Sequence, residues 1–126
     1  MHIWEEKTAR EWVKVFSYED KKTSIADPGY SVNFVKFTPS FYGLKLACCT
    51  AKGTIIIFEY KNGKWDEKFV KREEAHSKSI NSLAWAPAGN GLTDSPNDPV
   101  LCSASCDRTV KFFDCSEGSH KFTKTL

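Results

Sequence analysis

Apolar positions along this chain recur in short runs and never in a helical stripe. Trp12 to Phe16, WVKVF, alternates apolar with charged residues, the period-two signature of a half-buried strand. Ser31 to Pro39, SVNFVKFTP, is rich in β-branched and aromatic residues and stops at a proline. Leu44 to Thr50, Thr54 to Tyr60 and Trp65 to Val70 are further runs of the same kind, and Asn62-Gly63 between the last two is a hairpin signal. Downstream, Ser79 to Ala86, Val100 to Ser105 and Thr109 to Asp114 repeat the composition that pleated strands favour. Glu67 to Ser77 is the nearest helix candidate, but it lacks an apolar stripe. Its basic residues Lys68, Lys71 and Arg72 alternate with Glu67, Glu73 and Glu74 and read as a solvated loop. The pattern predicts an all-β chain with strands near 12–16, 31–38, 44–50, 54–60, 65–70, 79–86, 100–105 and 109–114, and no helix.

The runs are also copies of one another. SINSLAWAP, Ser79 to Pro87, matches SVNFVKFTP position by position: Ile80 answers Val32, Asn81 answers Asn33, Leu83 answers Val35, Trp85 answers Phe37, and Pro87 answers Pro39. SASCDRTVKFFD, Ser103 to Asp114, repeats TAKGTIIIFE, Thr50 to Glu59, with Thr109 answering Thr54 and Phe113 answering Phe58. A third copy of that ending opens the chain as His2-Ile3-Trp4-Glu5. The spacing lengthens within the second copy because its loop, residues 88–99, is longer than Ser40 to Gly43 and rich in Gly, Asn, Asp and Pro. Lys121-Phe122-Thr123 stands where a fourth strand of the second unit is due. Four-stranded units at a fixed period are the mark of a propeller. The division expected is 1–16 as the end of one blade, 30–70 as a second, and 76–126 as a third.

Composition narrows the chemistry. With 126 residues and a formal charge of +2, both signs interspersed, the chain has no electrostatic footprint for nucleic acid or an anionic membrane. The longest purely apolar run, Ile55 to Phe58, is far too short to span a bilayer, and the opening MHIWEEKTAR has no apolar segment of a signal peptide. The five cysteines are odd in number. Adjacent Cys48 and Cys49 would point to opposite faces of a strand. All five read as reduced, mostly packed thiols of a cytosolic or nuclear protein.

These residues resemble the WD-repeat family. There a His precedes the first strand, a Ser or Thr comes late in the second, an Asp sits in the following turn and a Trp closes the third. The chain keeps His76, Ser103 or Ser105, and Asp107, with Phe113 where Trp is expected. The upstream copy departs further: Asp27-Pro28-Gly29 replaces the His turn, Lys52 replaces Asp, and Phe58 replaces Trp. Within the family the sequence is similar to the six-bladed Sec-type subunit shared by the COPII outer coat and the nuclear pore. AWAPA, KFTPS, YGLKLACCTAKGTI, and NGKW followed by AHSKSINSLAWAPA and a polar insert carry that similarity. The Seh-type nucleoporin is close too, notably in Trp12-Val13-Lys14 and Val35-Lys36-Phe37. Family proteins are more than twice as long, so the chain is expected to be part of a ring.

The resemblance implies a non-catalytic scaffold, cytoplasmic and peripheral to the endoplasmic reticulum through a vesicle coat, or at the nuclear pore. It implies α-solenoid protein partners joined by blade insertion, with no nucleic acid, no cofactor and no transmembrane segment. It also assigns His76, Ser103, Ser105, Asp107 and Phe113 to a hydrogen-bond network inside the blade, where a neutral imidazole offers one donor and one acceptor. Phe41 and Tyr42, read as exposed loop aromatics, are the candidates for partner contact. The competing chemistry is a thiol hydrolase using Cys102 or Cys106 with His76, but no motif supports it and Cys106 beside Asp107 lacks an electropositive setting. Cys102, Cys106 and Cys115 lack the short pairing of a structural zinc site. The expected core is Val32, Val35, Phe37, Leu46, Ile55, Ile57, Ile80, Leu83, Trp85, Leu101, Val110 and Phe112, with Trp85→Ala costing about 3–5 kcal/mol.

Overall fold

The computed structural model describes residues 1–19, 31–89, 98–116 and 121–125. The described residues form ten strands and contain no α-helix. β1 (His2–Thr8) and β2 (Glu11–Ser17) form a hairpin. β3 (Val32–Phe37), β4 (Lys45–Thr50), β5 (Thr54–Lys61) and β6 (Lys64–Glu74) form one four-stranded antiparallel sheet in chain order. β7 (Ile80–Trp85), β8 (Val100–Ser105), β9 (Val110–Asp114) and β10 (Lys121–Thr125) form a second with the same topology.

Glu67 to Glu74 belongs to β6 and is not a loop. β6 is the edge of its sheet, so it has one bonded neighbour and tolerates charged side chains that would be costly in a central strand. The turn from Asp27 to Gly29 and most of the loop 88–99 lie outside the described residues.

The two sheets and the hairpin stack in layers. Period two splits β4 and β5 between two cores. Ala47, Cys49, Ile55 and Ile57 pack with Ile80, Leu83, Leu101, Phe113 and Cys115 of the second sheet. Leu46, Cys48, Ile56 and Phe58 face the other way and pack with Ile3. Val15, Phe16 and Tyr18 close over them, with the Phe16 and Tyr18 rings edge-on to Phe58. Every residue of β4 is therefore buried, and Cys48 and Cys49 sit in different cores.

The expected core is corrected at β3. Val32, Val35 and Phe37 are 45 %, 49 % and 50 % exposed. The hairpin packs on β4 to β6, while β3, the edge strand, meets it across an open cleft in which Phe37 faces Ile3 and Trp4. Trp85, Val110 and Phe112 are half-buried. The Trp85 indole N–H donates to the Lys36 carbonyl of β3 at 3.2 Å. Because its ring is only partly covered, Trp85→Ala is expected to cost about 2 kcal/mol, below the full cavity cost of a buried ring.

Matching sequence positions adopt matching irregularities. The β3–β4 register slips between Val32 and Phe34, and the β7–β8 register slips between Ile80 and Ser82. Asn33 and Asn81 occupy these bulges, which re-aim a side chain out of the ladder. The Asn33 amide donates to Ser79 Oγ at 2.8 Å and to the Ile80 carbonyl at 2.9 Å. It thereby ties the first strand of one sheet to the first strand of the next.

The β4–β5 turn packs tightly against the loop that leads into the second sheet. The Gly53 carbonyl accepts from the amides of Ala75 and His76 at 3.0 and 2.9 Å. Gly53 has φ 85°, and a Cβ there would collide with the His76 carbonyl oxygen and stand 2.7 Å from that of Lys78. Gly63, in the β5–β6 hairpin, has φ 77° and nothing within 4 Å of a Cβ. In urea titrations Gly63→Ala should cost about 1 kcal/mol, the backbone penalty alone. Gly53→Ala should cost at least about 3 kcal/mol, since two fixed carbonyls must also move. Equal losses at the two sites would show that the close approach does not matter.

Candidate functional site

The loop after β6 delivers His76 into the second sheet. Its imidazole is fully covered, with no side-chain exposure. Nδ1 lies 2.8 Å from Asp107 Oδ2 in the β8–β9 turn, and Nε2 lies 2.7 Å from Ser103 Oγ on β8. A neutral imidazole fits this set: Nδ1–H donates to the carboxylate, and Nε2 accepts from the serine hydroxyl.

Asp107 is the hub of the turn. The Thr109 hydroxyl and amide donate to Oδ1 at 2.6 and 2.9 Å, and the Ser77 amide donates to Oδ2 at 3.3 Å. Hydrogen bonds from the Thr109 hydroxyl, then from His76 and the Thr109 amide, hold the Asp107 carboxyl far below the ordinary aspartate range. Arg108, between them, takes a left-handed φ of 71°, which lets the turn close around its own aspartate.

Of the residues singled out in the sequence, His76, Ser103 and Asp107 come together. Ser105 does not touch the imidazole. Its hydroxyl donates to the Ser79 carbonyl at 2.9 Å and accepts from the Asp107 amide at 3.1 Å, bracing the same turn from outside. Phe113 is buried in the core between the sheets, cross-strand from Leu101. Its ring has no N–H to offer Ser103, which instead lies 3.5 Å from the Lys111 carbonyl. Thr109 is the member that sequence reasoning missed, although its recurrence at Thr54 was the available signal. Tyr42 is corrected: it is buried, whereas Phe41 is 63 % exposed. Both lie in the 3-10 turn Ser40–Tyr42, with their rings edge-to-face at 5.5 Å.

Ser103, His76 and Asp107 stand at the separations of a hydrolytic triad. Ser103 is 0 % exposed, so no substrate atom can reach its hydroxyl. The set works as a clasp that pins the loop before β7 to the β8–β9 turn. The thiol alternative finds no base either, because both imidazole nitrogens are engaged by oxygen partners. Burial pushes the Cys48, Cys49 and Cys115 thiols up to about 12, 11 and 12, and raises Cys102 as well. All four are protonated at neutral pH and poor nucleophiles. Cys106 is exposed and accepts a hydrogen bond from the Asn81 amide. Among the described residues, no three His, Cys, Asp or Glu side chains cluster as a metal site.

Two changes test the clasp. Ser103→Ala leaves a buried imidazole nitrogen unmet and should cost about 1–3 kcal/mol in chemical denaturation. Asp107 has a folded-state pKa below its unfolded value near 3.9. Its contribution is therefore complete above about pH 4 and is lost as pH falls through the folded value. Asp107→Asn should lower stability at pH 7 and flatten the acid limb of a stability–pH curve. An acid limb unchanged by Asp107→Asn would remove Asp107 from that role.

Comparison with known proteins agrees with this geometry. Residues 67–114, which hold the whole clasp, match the family model described as WD domain, G-beta repeat. The chain is 37 % identical over 123 residues to Protein SEC13 homolog of Drosophila melanogaster, a match covering 88 % of this chain and 32 % of that protein. It is 27 % identical over 123 residues to Protein transport protein SEC13 of Coccidioides immitis, covering 89 % and 37 % respectively. It is 26 % identical over 134 residues to Nucleoporin SEH1 of Homo sapiens, covering 97 % and 35 %. The chain thus spans about a third of the length of the curated relatives it matches. With its repeated four-stranded antiparallel sheets and buried His-Ser-Asp clasp, the chain carries a WD repeat over residues 67–114 and is similar to SEC13 and SEH1 proteins.

Proposed function

We propose that this chain is a section of an open β-propeller acting as a rigid, non-catalytic scaffold, of the vesicle-coat type first and the nuclear-pore type second. Residues 1–16 are then the end of one blade, 30–70 the next, and 76–126 the third. The relative in Coccidioides immitis is named as a protein transport protein, which supports the coat reading, and the relative named as a nucleoporin supports the pore reading. The scaffold works in the cytoplasm, peripheral to the endoplasmic reticulum or at the pore. None of the described helices is long and apolar enough to cross a membrane.

One observation carries the reading. β3 is an edge strand whose Val32, Phe34, Val35 and Phe37 are all exposed. Among the described residues, β1 bonds only to β2. A row of open backbone groups beside a strip of apolar side chains invites strand addition. Two further strands paired to β1 would complete a third four-stranded sheet and cover β3. In the scaffold these come from the rest of a ring or from a blade inserted by an α-solenoid partner.

The test is to purify the 126-residue chain and to co-express it with α-solenoid coat and pore subunits. Alone it should bind a hydrophobic dye and self-associate, since the strip on β3 is unprotected. With the right subunit it should co-purify and lose the dye signal. A dye-silent monomer that melts cooperatively and captures neither class of solenoid would overturn the proposal.

A further inference from the structure

An open cleft of about 300 Å³ separates the β1–β2 hairpin from one end of the first sheet. Ile3 and the exposed Trp4 line it from β1. Phe37, Tyr60 and Trp65 line it from β3, β5 and β6. Among the described lining residues only Phe37 belongs to β3, so most of the wall stands apart from the open edge of that strand.

The aromatic rings of this wall are inclined to one another and not stacked. Tyr60 and Trp65 stand 5.5 Å apart at 66°, and Phe37 and Trp65 stand 6.4 Å apart at 56°. Inclined rings leave furrows between them for a small apolar ring, and Trp4 adds a fourth ring from the hairpin side. The cleft also offers hydrogen-bond donors. Trp85 gives its indole N–H to a carbonyl, but the indole N–H groups of Trp4 and Trp65 meet no acceptor among the described residues. The Tyr60 hydroxyl already donates to the Gly63 carbonyl at 2.8 Å. A ligand that matches these walls brings apolar rings and carbonyl oxygens.

Glu5 is the only charged residue lining the cleft among the described residues. Its Oε2 accepts from Lys7 at 2.8 Å, and both side chains are half exposed. So open a pair contributes little. A guanidinium, which binds both oxygens of a carboxylate at once, competes for Glu5 readily.

Proline and arginine meet these demands together. Proline has an apolar ring and no N–H, and a run of prolines holds an extended helix whose carbonyls make no internal hydrogen bonds. We propose that this cleft binds a proline-rich segment of a partner protein that carries an arginine. The proline rings rest among Trp4, Phe37, Tyr60 and Trp65, the two indoles donate to carbonyls of the segment, and the arginine pairs with Glu5. The proposal goes beyond the scaffold reading and does not rest on it.

The experiment is a biosensor titration of the 126-residue chain, tethered through a terminal tag at a surface density too low for copies to meet through β3. The probes are acetyl-Arg-Pro-Pro-Pro-Pro-amide, acetyl-Pro-Pro-Pro-Pro-Arg-amide, and the same peptides with Gln for Arg or Ala for Pro. At least one arginine probe should bind about tenfold more tightly than its alanine counterpart, which loses ring contacts and preorganisation. It should also bind several-fold more tightly than its Gln counterpart. Glu5→Gln should abolish that preference for Arg over Gln. Trp4→Phe should weaken the probe several-fold, because it keeps a ring and removes the N–H. Both side chains are exposed, so the fold survives either change. The titration is repeated on the complex with any solenoid subunit that captures the chain. If none does, the scaffold reading fails and the tethered chain still decides this one. Binding by neither arginine probe, equal binding of the alanine probe, an Arg preference that survives Glu5→Gln, or an affinity unmoved by Trp4→Phe would each overturn the proposal. So would binding that is lost in the complex, which would show that added strands fill the cleft.

Discussion

His76 is the residue on which the two four-stranded sheets are joined. Its backbone N–H reaches the Gly53 carbonyl in the β4–β5 turn of the first sheet. Its imidazole reaches Ser103 and Asp107 in the second. An imidazole can be buried cheaply only when both nitrogens are paired, and here both are. The cost of displacing it is therefore shared by two turns and the loop between them. Gly53 is the other half of that join, because only a residue without Cβ lets the loop at His76 come so close.

The remaining links between the sheets follow the same logic of paired polar groups around an apolar centre. At one end the Asn33 amide holds β7, and the Trp85 indole holds β3. Elsewhere Lys45 crosses from β4 to the Cys115 carbonyl. Between them lies the core of Ala47, Cys49, Ile55, Ile57, Ile80, Leu83, Leu101 and Phe113. Apolar burial supplies most of the attraction and is non-directional. The polar links fix how one sheet is set against the next, which a repeating, ring-forming architecture requires.

The surface divides accordingly. The strand side, at β1 and β3, presents open backbone edges and apolar side chains, the chemistry of sheet extension. Near the end of the stack, Lys45 and Lys61 pair with the buried Glu59 carboxylate. The Ser103–His76–Asp107 set has the separations of a catalytic triad and no access. Its placement under the β8–β9 turn makes it a device for stiffness.

Much of this was written in the sequence. Alternation and β-branched runs determined the strands, because side-chain period is a local property. The repeat of SVNFVKFTP in SINSLAWAP determined that two units share one topology, down to a bulge at each Asn. The resemblance to the WD-repeat family marked His76, Ser103 or Ser105, Asp107 and Phe113 as one set. Only the tertiary structure decided which serine meets the imidazole, since Ser103 and Ser105 point to the same face and differ only in depth. It alone brought Thr109 into the set and separated buried Tyr42 from exposed Phe41. It also left Val32, Val35 and Phe37 uncovered, because burial of a strand depends on which layer lies over it and not on its own apolar pattern. The pairing of Lys45 with Glu59 and Cys115 was likewise illegible in sequence: charged residues at strand ends read as solvated until a second sheet closes over them.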